Sequence, residues 1–148
     1  MLNRLNFQTE EEYIEAMRKI NSFKDYTIPK IGCCGIVPQG ERVILAIECA
    51  KGRGLVLPGG KFDITNDISY KTCAAREVYE ETGVIVNNRG SRLVHCSLCF
   101  DGYFVYFFRF PSYQYESLLP NREGVPKWVT IKELMDNSMY AADYDLLF

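Results

Sequence analysis

A chain of 148 residues is long enough for one domain with a substantial core and leaves little room for a second. Its 47% hydrophobic and 24% charged residues are ordinary for a globular protein, and 17 basic against 19 acidic residues leave a net charge of −2. That balance excludes the concentrated Lys/Arg footprint of a protein built to grip nucleic acid, and no apolar run approaches the length of a membrane span.

The N-terminal stretch carries Glu10, Glu11, Glu12, Arg18 and Lys19, so it lacks the apolar segment of a secretion signal and the expected compartment is the cytoplasm. Six cysteines are then expected as thiols, and Cys96-Ser-Leu-Cys99, a single CxxC pair, is two ligands short of a zinc knuckle. Residues 1–28 read as a helical extension, with Thr9 and Glu12 forming a capping box and Tyr13, Ile14 and Met17 an apolar stripe. Residues 29–148 read as the main domain. Strands are expected at Ile31–Val37, Val43–Ile47 and Leu55–Leu57, with turns at Pro38-Gln39-Gly40 and a loop at Lys51–Gly54. The spacing predicts a helix over Ser69–Thr82, stopped by Gly83, then a short strand at Val84–Val86. Arg92–Phe100 and Tyr103–Phe110 flank Asp101-Gly102, which predicts a hairpin. A polar loop is expected over Pro111–Asn121, a short strand at Lys127–Val129, and a last helix capped by Thr130 and Glu133. These elements describe one α/β domain with a mixed sheet.

The helix over Ser69–Thr82 carries the chemistry. Positions three and four apart share a helix face, so Glu77, Glu80 and Glu81 fall on one stripe and repel one another. Such a stripe on its own is usually a solvated acidic face. It makes chemical sense when a hard divalent cation sits among the oxygens. Arg76, four residues before Glu80, is placed to orient a carboxylate, and Ala75 and Val78 face the other way for packing.

The surroundings decide between these readings. Leu57-Pro58-Gly59-Gly60-Lys61, a gap, and Arg76-Glu77-Val78-Tyr79-Glu80-Glu81-Thr82-Gly83-Val84 together resemble the Nudix box, G-x₅-E-x₇-R-E-U-x-E-E-x-G-U with U a bulky apolar residue. The second half alone would arise by chance with odds on the order of 10⁻⁵, which sets aside an accidental acidic helix. The segment Pro126–Leu134 is similar to the family's late strand and helix, so the resemblance spans residues 31–135. It implies a Nudix fold, an α/β/α sandwich with a central mixed β-sheet, plus the added N-terminal helix. It also implies a pyrophosphohydrolase that uses Mg²⁺ or Mn²⁺ to cleave a nucleoside diphosphate linked to another moiety. By resemblance Glu80 and Glu81 are the principal metal ligands, Glu77 is a ligand or base, and the Gly59 carbonyl completes the shell. Some members take their general base from a later loop, where Glu123 is the first candidate here and Glu116 the second. Gly60, Lys61 and Arg53 are the expected substrate contacts, the two cations on phosphate.

The first half of the box departs from the pattern. Fifteen residues separate Gly60 from Arg76 where the pattern has 13, and Ile68 stands where the first glutamate belongs. Asp63 and Asp67 are the available substitutes for its support of Arg76. That departure motivates the rival reading, a non-catalytic Nudix-fold nucleotide sensor or interaction module. Aromatic residues from Tyr103 to Phe108 offer a stacking surface on one strand face only. The sequence does not fix the nucleotide, leaves an RNA 5′ end open as a substrate, and leaves the homodimer common in the family untested.

Overall fold

The structure, a computed structural model, describes residues 30–99 and 102–148; the predicted N-terminal helix lies outside them. Ten strands and three helices follow in chain order among the described residues. They are β1 (Lys30–Ile36), β2 (Pro38–Gln39), β3 (Val43–Cys49), β4 (Leu55–Val56), β5 (Gly59–Lys61), α1 (Tyr70–Thr82) and β6 (Ile85–Val86). After these come β7 (Arg92–Leu98), β8 (Tyr103–Arg109), β9 (Tyr113–Gln114), β10 (Gly124–Thr130), α2 (Ile131–Asn137) and α3 (Ala141–Tyr144). None of the helices is long and apolar enough to cross a membrane.

The strands form one sheet in the order β5-β1-β8-β7 and another in the order β10-β3-β2, with β4 on β3 and β6 paired to β9. The first sheet is mixed, because β1 runs parallel to β8 while β5 and β7 run antiparallel to their neighbours. β8 shows why it lies at the centre. Phe104, Tyr106 and Phe108 point into one buried cluster, and Val105 and Phe107 into a second. A strand apolar at every position has to be covered on both faces. α1 covers the first cluster with Cys73, Ala74 and Val78, and α2 and α3 contribute Leu134 and Tyr144 to the second. The expected α/β/α sandwich is thus present.

Four expectations need adjustment. Pro38-Gln39 is not only a turn, since both residues pair with β3 before the chain reverses at residues 40–42. The loop Pro111–Asn121 contains β9, a ladder too short to show periodicity. The late strand begins at Gly124 rather than Lys127 and accommodates Pro126 because β10 is an edge. On α1, Val78 is buried as expected, but Cys73 and Ala74 carry more of the packing than the half-buried Ala75.

α1 can approach β1 closely because Gly35 has no side chain. A Cβ there would lie 2.4 Å from Val78 Cγ2. Overpacking of that kind costs about 1–3 kcal/mol. Gly35→Ala is therefore expected to lower the free energy of unfolding by that amount in a urea titration. A double-mutant cycle with Val78→Ala should show the two changes coupled, because the smaller side chain makes room for the added methyl.

Candidate active site

Local rules fix the ends of α1. Ser69 accepts from Thr72 N, and Gly83, at φ 84°, returns its N–H to Tyr79 O. The chain before the helix is fixed as well. β5 pairs with β1 in the register Cys33↔Gly60 and Cys34↔Gly59, so Gly59 and Gly60 lie under the helix. There the backbone meets the acids directly. Gly59 N donates to Glu81 Oε1 at 2.8 Å. A Cβ on Gly60 would sit 2.5 Å from the carboxylate of Glu77, so only glycine leaves that carboxylate its place.

Arg76 organises the outer side of the helix. Its Nε and Nη2 donate to the two oxygens of Asp67 at 2.8 and 2.9 Å, and its Nη1 donates to Glu77 Oε1 at 2.9 Å and Glu80 Oε1 at 2.8 Å. The Asp67 side chain is 1% exposed. Asp67, rather than Asp63, is thus the carboxylate that supports the arginine in place of the missing glutamate. Asp63 serves the loop instead: its side chain accepts from Thr65 and Asn66, and its N–H donates to Asp67 Oδ2. The Arg76 guanidinium holds the Asp67 carboxyl down at about 2.

Seven of the residues singled out from sequence line a single cleft of about 630 Å³. Glu77, Glu81 and Glu123 bring carboxylates, Lys61 and Arg53 bring cations, and Gly59 and Gly60 bring backbone. Glu80 and Arg76 are not in its lining; Glu80 is turned toward Arg76 with its side chain 49% exposed, against 14% for Glu77. Glu116 is exposed and also outside the lining. Burial pushes the Glu81 carboxyl up to about 8 against the opposing Gly59 N–H, and the neighbouring charges of Glu77, Glu123 and Glu80 push it further. Burial raises the Glu77 carboxyl too, and Arg76 partly offsets this.

Sequence reasoning missed three supports. Asn121 Nδ2 donates to Glu81 O at 2.6 Å while its Oδ1 accepts from Glu123 N at 2.9 Å, so one side chain ties the Glu123 loop to the end of α1. The signal was present as a short Asn-x-Glu segment whose amide can bond its own loop. Tyr144, from the unforeseen α3, accepts from Leu57 N at 3.1 Å and holds the strand that leads into Pro58-Gly59-Gly60. Asp143 is buried at the cleft floor beside Tyr140, and nothing in the pattern of residues 141–144 marked it. The aromatic strand resolves by face: Tyr103 and Phe107 line the cleft, and Phe104, Tyr106 and Phe108 pack toward α1.

The cleft residues suit a hard divalent cation. Two half-buried carboxylates beside a third, only one of them bonded to Arg76, are stabilised by positive charge inside the cleft. Among the described residues no three His, Cys, Asp or Glu side chains already converge on one point, because Arg76 and the Gly59 N–H hold Glu80 and Glu81 apart.

Asp67 has a measurable signature. Its folded carboxyl titrates near 2 against 3.8 for the ordinary group, so its contribution to stability is present above 3.8 and is lost as pH falls toward 2. Asp67→Asn is expected to cost about 2 kcal/mol at pH 7, discounted from a fully buried pair because Arg76 is partly exposed. It should also flatten the stability profile between pH 4 and pH 2 in chemical denaturation.

The comparisons agree with the fold. The MutT protein of Bacillus halodurans superposes with a TM-score of 0.64 at 23% identity, covering 80% of this chain and 79% of that one. The NUDIX domain of Shewanella oneidensis NrtR, solved with ADP ribose, superposes at 0.66 with 15% identity and 94% coverage of both chains. A NUDIX hydrolase from Nitrosomonas europaea gives 0.62 at 21% identity, covering 82% and 69%. No curated protein sequence matches the chain. The profile of the NUDIX domain matches residues 27–148, and the chain belongs to that family.

Proposed function

We propose that this NUDIX protein is a hydrolase that uses Mg²⁺ or Mn²⁺ to cleave a pyrophosphate bond in a nucleoside diphosphate linked to another moiety. The observation that carries the reading is the cleft itself, where Glu77, Glu81 and Glu123 face the Gly59-Gly60 backbone with Lys61 and Arg53 at its walls. An accumulation of buried acid of this kind, at a cost in desolvation, is typical of a site rather than of a surface.

Glu77, Glu81 and the Gly59 carbonyl would hold the cation, and Glu80 would join them once turned away from Arg76. A cation held there would supply charge neutralisation for the diphosphate and a lowered pKa for a water. Glu123, whose backbone N–H donates to Asn121 and which lines the cleft with the helix acids, takes the proton from the attacking water. Lys61 and Arg53 orient the diphosphate by contacting its outer oxygens. Tyr103, Ile47 and Phe107 give the far part of the cleft an apolar wall against which a flat base can lie. Substrates therefore belong to the small nucleotide derivatives, and the cytoplasm, where all six cysteines persist as the free thiols seen here, is the proposed place of action.

The test is phosphate release from nucleoside triphosphates, ADP-ribose, NADH, nucleotide sugars and diadenosine polyphosphates, with Mg²⁺, Mn²⁺ or EDTA. ADP-ribose comes first because the similar NrtR domain holds it. Metal-dependent turnover that falls by about 10²-fold or more in Glu81→Gln and Glu123→Gln is expected. Folded protein that binds Mn²⁺ and turns over none of these would make the chain a sensor instead.

Glu81 adds a pH signature. Its folded carboxyl, at about 8, lies above the ordinary 4.5, so the metal-free protein loses stability as pH rises from 4.5 to about 8. A cation displaces that proton, and below pH 8 its affinity should rise up to about tenfold per pH unit. Calorimetric Mn²⁺ titrations at pH 6 and pH 8, in buffers of different ionisation enthalpy, would show tighter binding and less proton release at pH 8. Equal affinity at the two pH values would rule Glu81 out as a ligand.

A further inference from the structure

At the end of the molecule away from the acidic cleft lies a second cavity, of about 330 Å³, between the same two sheets. The strands connect the two. Along β8 the cleft face runs Tyr103, Val105, Phe107, and the next residue on that face, Arg109, lines the second cavity. Along β3 the order is reversed, with Cys49 and Ile47 at the cleft and Ile44 and Val43 at the second cavity. Phe107 of the cleft and Arg109 are only two strand residues apart, roughly 7 Å, but the two linings share no residue, so the second cavity is a separate space.

Its charged residues are unusual. Arg92 and Arg109 stand directly opposite each other across β7 and β8 and line the same cavity. Like charges in that relation destabilise a sheet. Neither guanidinium has an ion pair or side-chain hydrogen bond among the described residues, and neither is paired with Glu41, the acidic residue that shares the lining. The rest of the wall that matters is apolar: Ile36, Ile44 and Val94. Two unpaired forks above an apolar floor present ten N–H donors to whatever enters, and a guanidinium matches the oxygens of phosphate or carboxylate in pairs.

We propose that this cavity is a separate anion-binding site whose ligand is a phosphate monoester carried on a compact apolar or flat body. A phosphate dianion meets the pair of arginines with two charges and three oxygens, where a carboxylate brings one charge and two oxygens. A cavity of this size is at the small end for ligand sites and takes a single-ring body. The site is independent of metal and of catalysis in the acidic cleft.

The test uses the full chain in EDTA, so that no cation recruits phosphate to the acidic cleft, with phenyl phosphate as probe and benzoate for comparison. Saturable NMR shifts confined to residues of β7, β8 and the Val43 end of β3 are expected with phenyl phosphate. Arg92→Gln and Arg109→Gln should each weaken binding by about tenfold, the loss of one charge-assisted pair. Without ligand, both variants should melt no lower than the parent, because each relieves a repulsion; this separates a binding role from a structural one. Absence of saturable shifts, unchanged binding in the variants, or a lower melting temperature of the unliganded variants would overturn the site. Benzoate binding as tightly as phenyl phosphate would overturn the dianion assignment.

Discussion

One guanidinium makes the acidic helix possible. Arg76 contacts Asp67, Glu77 and Glu80 at 2.8–2.9 Å, so a single fixed positive charge serves three carboxylates. Without it Glu77 would meet both burial and its acidic neighbours with no local compensation. The arginine is itself held in place, because Asp67 grips it through two parallel bonds in the fork geometry that suits a carboxylate. Asp67 is set by Asp63 N and the loop that Asp63 organises. The chain of support therefore runs from a surface loop to a buried acid, then to a helix arginine, and ends at the cleft.

That chain explains how the two extra residues in the box are absorbed. A glutamate reaching Arg76 from the ordinary position has one more methylene than an aspartate. Here the longer loop brings the shorter side chain of Asp67 close enough to bond both guanidinium nitrogens. Its outward consequence is that Ile64 and Ile68 stand 83% and 93% exposed, since the loop spends its inward direction on Asp67.

Much of this was legible because it rests on short-range rules. The stop at Gly83 and the capping box of Thr130 and Glu133 each involve residues no more than four apart, and both form as expected; Ser69, expected as the first helical residue, caps the helix instead. The members of the acid cleft were legible for another reason: the Gly59-Gly60 turn and the helix glutamates belong to one contiguous motif. Glu80 shows the limit. Spacing places it on the helix stripe, but which way its side chain turns depends on whether Arg76 or the cleft holds it. Asp143 and Tyr144 were not legible, and of Asn121 only its local bond to Glu123 N was, since what each does depends on a partner 40 or more residues away or on the lining of a cavity. Between Asp63 and Asp67 no count along the chain could choose, because the answer lies in which carboxylate the loop turns inward.

The core has to sustain a site that opposes folding. Glu77 and Glu81 are raised by burial, which means that holding them ionised in the cleft costs stability the rest of the domain supplies. β8 is the main source, with Phe104, Tyr106, Phe107 and Phe108 all essentially inaccessible to solvent and packed to both sides. Its position beside β1 is no coincidence of packing. β1 pairs with β8 on one edge and with the Gly59-Gly60 segment on the other, so the strand that is best buried anchors the backbone that meets the acids. A cation bound between Glu77 and Glu81 would remove the opposition at its source, converting a cost to the fold into a point of attachment. Stability and metal affinity are then two readings of the same buried carboxylates, and a change that makes either acid easier to bury makes it a poorer ligand.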